Sequence, residues 1–149
     1  MIVLWRLAHF FGFICWFVGL LGTTAAQVGV RKATDVPTRR AAWAVLERLQ
    51  PYEIIGLILT PISGLLLTVS MYGHVFKGSP AFVHIKLLLV IVAAVLNVLL
   101  LVMRKKAKTM LQTDMPGLEG RLKRLSMIQG MATLMLPVAV IVVVWFKYG

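Results

Sequence analysis

The chain is poor in acid. Of its 149 residues only 5 are Asp or Glu against 16 Lys or Arg, so the formal net charge is +11. Charged residues make up 14%, about half the usual share of a globular domain. There is a single cysteine, Cys15, inside an apolar run, which excludes an intrachain disulfide and a Cys–Cys metal site. No nucleotide-binding loop, no HExxH pair and no Ser-His-Asp set is visible. Internal repeats and low-complexity tracts are lacking too. What fills the chain is hydrocarbon: 60% of residues are hydrophobic and mean hydropathy is +0.90. A soluble domain of this length cannot bury that much apolar surface. A soluble enzyme, a disordered tail and a secreted disulfide scaffold are thereby excluded. A single membrane domain over residues 1–149 remains, multi-pass in the lipid bilayer. The basic surplus, which would suggest nucleic acid in a soluble protein, reads here as topology and anionic lipid, so no nucleic-acid partner is expected.

Four apolar runs are each long enough to span as helix: residues 7–30, 54–72, 80–103 and 125–146. The first could pass for a signal peptide because Thr24-Ala25-Ala26 resembles a cleavage site, but it lacks a basic leader and carries a His and a Trp. Cations are lopsided. Arg31, Lys32, Arg39, Arg40, Arg48, Arg104, Lys105, Lys106, Lys108, Arg121, Lys123 and Arg124 fall on one side, and only Arg6, Lys77 and Lys147 on the other. The positive-inside rule then places both termini outside the cytoplasm. Short connections predict an all-α, up-down four-helix bundle. Thr38–Leu49, ending at Pro51, and Leu118–Leu125 read as amphipathic helices lying on the anionic inner leaflet, with docking of an acidic partner as the alternative. Gly73–Ser79, with His74, reads as a short outer hairpin and Met115-Pro116-Gly117 as an inner turn.

Ionisable groups within spans are functional candidates by default. His9 and His84 are expected at similar depth in the outer part of the bilayer, which is how a b-type haem is commonly held between helices. His9, Gly12, Trp16, Gly19 and Thr23 share one helix face, so the glycines admit either a flat macrocycle or another helix, and Trp16 could line a pocket. Arg6, one turn from His9, suits a haem propionate. Each His could equally be a hydrogen-bonded packing residue. Lys86 is about 200° from His84 on the helix and cannot share its face; it either snorkels to headgroups or meets a carboxylate. Glu53 reads as a helix N-terminal carboxylate on the inner side, with a proton relay as the alternative. Met127 and Met131 could bind copper or simply pack.

Several of these pieces together resemble the HemJ-type membrane proteins and, more loosely, the CopD-related membrane domains. They are His9-Phe-Phe-Gly-Phe-Ile-Cys-Trp16-Phe-Val-Gly19-Leu, Leu46-Glu47-Arg48-Leu49, Thr60-Pro61, His84-Ile85-Lys86-Leu87 and Arg104. The resemblance implies a haem b bundle that oxidises protoporphyrinogen IX and passes electrons to a membrane acceptor such as a quinone. It implies His9 as an axial ligand, and His84 with Lys86 at the haem or substrate site. The chain departs from the family pattern at Val98 and Leu99, where a Tyr-His pair is expected, and at Gln129-Gly130-Met131-Ala132, where the family has Asn-Glu-Ala-Pro. Haem binding therefore carries over better than the oxidase activity. The leading expectation is a haem b oxidoreductase of the inner (plasma) membrane, with metal ligands His9 and His84, cofactor contacts Arg6, Gly12, Trp16 and Gly19, and Lys86 as the catalytic candidate. The rival is a non-enzymatic CopD-like copper-handling or structural subunit. A small transporter lacks a buried carboxylate in its spans on this reading. A homo-oligomer is compatible with the sequence.

Overall fold

The computed structural model describes residues 2–73, 81–113 and 117–148, by backbone only at 82, 136, 139, 140, 142–144 and 146–148. Four helices account for nearly all of them: α1 (Ile2–Lys32), α2 (Val36–Tyr72), α3 (Ala81–Thr113) and α4 (Leu118–Tyr148). The expected outer hairpin, with His74 and Lys77, and Met115-Pro116 of the inner turn lie outside the described residues. Among the described residues, three helices are long and apolar enough to cross a membrane: α1, α2 and Val83–Thr113 of α3.

The helices are longer than the apolar runs. At 31 to 37 residues each would measure roughly 46–56 Å, against a hydrocarbon core of about 30 Å. Most of the surplus lies at the basic end, in α2, α3 and α4. There the structure corrects two expectations. Pro51 does not end a surface helix: α2 runs unbroken from Val36, with Asp35 as N-cap and Pro37 in the first turn. Thr38–Leu49 therefore does not lie as a separate helix on the leaflet. Its apolar residues Trp43 and Leu46 are buried, as are Val30 of α1, Ala107 and Leu111 of α3, and Leu118, Leu122 and Leu125 of α4. Their spacing of three and four residues puts one apolar stripe of each helix inward.

α1 and α2 form the tightest pair. Gly12 faces Thr60, Gly19 faces Glu53, Gly22 faces Leu49 and Gly29 faces Ala42, so the two run antiparallel in constant register. A methyl group at Gly19 would strike the backbone of Glu53, and one at Gly56 the backbone of Trp16. Small residues bring the helices to backbone contact, as is common where lipid supplies no hydrophobic drive. Polarity is inverted relative to a soluble bundle. Thr23, Gln27, Glu53, Thr60, Ser63, Asn97, Arg104 and Gln129 are buried, while Phe10, Phe11, Ile55, Ile58, Leu88, Ile91 and Leu134 are exposed. That pattern suits a bilayer, where apolar side chains meet their own kind and polar ones find partners inside.

Candidate functional site

Two polar sites occupy the bundle. The first is a cleft of about 470 Å³ at the end where α1 begins, among α1, α2 and α3. Its wall is mainly apolar, from Leu65, Leu67, Leu87 and Val90 among others, and its polar groups are Arg6, His9, Thr60, Thr68, Tyr72 and Lys86. Among the described residues it has two cations and no acid. All five acids of the chain fall between positions 35 and 119, away from this end of α1.

His9 is held from both sides. Its Nδ1 lies 2.9 Å from the Thr60 carbonyl. A carbonyl only accepts, so Nδ1 carries the proton and donates. In the neutral ring Nε2 is then an acceptor, and the Lys86 ammonium, 3.2 Å away, donates to it. Gly64 makes room: a methyl there would come within 3.0 Å of the ring carbon Cε1. A carbonyl on Nδ1 that fixes the tautomer and turns Nε2 outward is the usual support of a metal-ligating histidine.

Of the two histidines expected as ligands, only His9 is a cleft residue. His84 is exposed on α3 and is not among the cleft residues, so the structure does not bring it to His9. Gly12, Trp16 and Gly19 are taken up by the α1–α2 contact, with Trp16 buried against Gly56, and are not cleft residues either. Arg6, His9 and Lys86 do converge. Met127 and Met131 lie exposed on the outside of α4.

The second site is a network that the sequence reading missed. Arg104 of α3 donates to Glu53 of α2 at 2.9 Å and to the Gln129 side-chain oxygen of α4 at 2.6 Å. Thr23 of α1 donates to the same Glu53 oxygen at 2.9 Å. Gln129 donates to Thr24 at 2.9 Å, and Thr24 is 2.9 Å from Thr133 of α4. All four helices are tied at one level. Glu53 and Arg104 are each 2% exposed. This corrects two sequence assignments: Glu53 is not at a helix N-terminus but mid-helix, and Arg104 is not a loop cation but buried. The signals were there, in a lone acid next to an apolar run and a Gln interrupting another, yet the presumed helix break at Pro51 concealed them. Nearer the surface, Lys108 pairs with Glu47 at 2.6 Å and Arg39 with Glu119 at 2.7 Å. Comparison with family models, with curated proteins and with solved structures finds no match to the chain.

Proposed function

We propose that the protein is a multi-pass inner-membrane protein that holds haem b in the cleft through His9 and serves as an oxidoreductase of the HemJ kind, acting on protoporphyrinogen IX and passing electrons to a membrane acceptor such as a quinone. One observation carries the reading: an imidazole whose Nδ1 is anchored to the Thr60 carbonyl presents Nε2 to an apolar cleft with two cations and no acid. When bound, the haem supplies one-electron redox chemistry. Thr60 holds the ring in the tautomer that leaves Nε2 able to ligate. Arg6 offers a planar fork that suits a carboxylate, and Lys86, on its flexible stem, can turn from Nε2 to a second carboxylate. The mainly apolar wall suits the faces of a macrocycle. His9 would hold the iron, and His84, which is not a cleft residue, would not. The up-down bundle lies with its basic end in the cytoplasm, which puts the cleft and both termini at the outer side.

Protein purified in detergent from haem-replete cells should show a Soret band that shifts on reduction. A colourless preparation would overturn the haem assignment. Labelling of cysteines placed between Lys32 and Arg40 tests the orientation, which fails if a membrane-impermeant reagent reaches them from outside.

A further inference from the structure

Between the cleft and the four-helix network lies a layer of buried polar atoms that find no hydrogen-bond partner among the described residues. They are Trp16 Nε1, Thr60 Oγ1 and Asn97 Oδ1, with Arg104 Nε below them. The four residues are 5%, 3%, 2% and 2% exposed. Their heights follow from the network. Thr23, Glu53 and Arg104 touch one another through hydrogen bonds of 2.9 Å to one carboxylate oxygen. Trp16, Thr60 and Asn97 each stand seven residues from those three, toward the cleft. Seven residues is nearly two full turns and about 10 Å of rise, so each returns to the same helix face one layer up. A further seven residues leads to His9, Leu67 and Val90, all of them cleft residues. The bundle thus carries three stacked layers, and Thr60 belongs to both the cleft wall and the middle one.

The orphaned atoms are complementary in kind yet unpaired. Trp16 and Arg104 offer N–H donors, Asn97 an acceptor and Thr60 a hydroxyl that does both. Asn97 spends its amide on the Ala93 carbonyl at 2.8 Å, which leaves its oxygen without a partner. Buried polar groups in native proteins are satisfied by protein or by ordered water, and a buried water usually makes about three hydrogen bonds. A water molecule can accept from two donors while it donates to an acceptor. We propose that this layer holds ordered water and that the water joins the His9 cleft to the Glu53 carboxylate, giving protons a path through the apolar middle of the bundle. Each transfer forms one O–H bond as the next breaks, so nothing is consumed. Leu20 and Leu100, each four residues or fewer from the Thr23 and Arg104 positions on their own helices, are fully buried, so the step down to Glu53 is shielded from lipid and solvent. Leu46 and Leu122, seven residues beyond Glu53 and Gln129 on their own helices, are buried as well, so the layer below the carboxylate is apolar.

The proposal is independent of what the cleft binds, and its test needs no haem. In detergent-solubilised, ¹⁵N-labelled protein, the indole N–H of Trp16 (assigned with Trp16→Phe) should show a bound-water cross-peak. It should exchange in D₂O together with Arg104 Nε–H. Thr60→Val combined with Asn97→Leu should abolish the cross-peak and slow Arg104 Nε–H exchange about tenfold or more, because a dry apolar layer then replaces the wet one. A wild-type indole with no water cross-peak and no exchange over days would overturn the proposal before any variant is made. An unchanged Arg104 rate in a folded double variant would overturn the path.

Discussion

The two ends of the bundle handle positive charge in opposite ways. At the basic end the chain supplies its own counter-charges. Glu53 meets Arg104, Glu47 meets Lys108, Glu119 meets Arg39, and Asp35 caps α2. The helices there close over buried Trp43, Leu46, Leu111 and Leu122. At the other end Arg6 and Lys86 line an open cleft with an imidazole between them and no carboxylate in the wall. An end that pairs its charges internally is built to hold together. The other sets its cations against a cavity, which is where the proposed anionic ligand would go.

The largest effect should come from unpairing the closed end. Glu53→Leu alone leaves the Arg104 guanidinium buried without its carboxylate, and Arg104→Leu alone does the reverse. Either should destabilise by about 3–5 kcal/mol, since the desolvation of the surviving charge is no longer offset. The double variant should recover most of that loss, because a well-packed apolar pair is often neutral relative to a buried ion pair. Unfolding titrations in mixed micelles measure all three. If the single and double variants lose the same stability, the pair is not what closes this end.

Next in size is ligand loss at the open end. His9→Ala should lose most bound haem, and His84→Ala should retain it with an unchanged Soret band, because His84 lies exposed outside the cleft. Arg6→Gln should weaken retention in part, as a carboxylate in a partly dry site loses its partner. Equal haem content in His9→Ala and wild type would leave the open end without its assigned ligand. His84→Ala separates depth from direction. In the sequence both histidines sit at similar depth, and only the turn of α3 decides which one faces inward.

That turn marks the limit of what the sequence made legible. The apolar runs, the all-α class and the lopsided cations could be read directly, because length and hydropathy suffice for them. His9, Arg6 and Lys86 were legible as intramembrane or near-membrane charge, and they do converge on the cleft. The angular position of His84 could not be fixed, since α3 is apolar nearly all round and no stripe shows which side is inner. Trp16, Gly12 and Gly19 were read as one face, correctly, but a glycine face serves a macrocycle or a second helix equally well, and here α2 takes it. Glu53 and Arg104 are hidden in the sequence because Pro51 reads as a helix stop. A proline within a long helix removes one hydrogen bond, and tertiary packing at both flanks outweighs that loss here.

Two glycine substitutions sharpen the contrast at smaller scale. Gly64→Ala places a methyl 3.0 Å from His9 Cε1 and 3.2 Å from Nδ1. The ring must shift by a few tenths of an ångström, which should perturb the Soret position or haem affinity more than it perturbs stability. Gly120, in the first turn of α4, has open space where its Cβ would go. Gly120→Ala should stabilise the closed end by about 0.5–1 kcal/mol through reduced freedom of the unfolded chain. Identical outcomes for the two would mean that Gly64 is not reserved for the imidazole.

The smallest expected effect tests whether the closed end depends on its acids down to the exposed rim. The Asp35 carboxylate accepts from the Thr38 amide at 2.8 Å. That backbone hydrogen bond chiefly, then the Thr38 side chain, holds its pKa below the ordinary carboxylate value. A carboxyl whose folded pKa is depressed contributes stability that is fully present above its unfolded pKa of about 3.9. It loses that contribution as pH falls through the lower, folded value. The first turn of α2 should therefore fray below about pH 4, read as faster exchange of the Thr38 amide once the intrinsic pH dependence of exchange is divided out. Asp35→Asn keeps a side-chain acceptor and removes the titration, so it should flatten the profile without unwinding the turn. No Asp or Glu is among the described cleft residues, so the amides near His9 should show no matching step. A step of equal size at both ends would mean that acid loosens the bundle as a whole, and the division between an end rich in acid–base pairs and one with cations around a cavity would not hold at the rim.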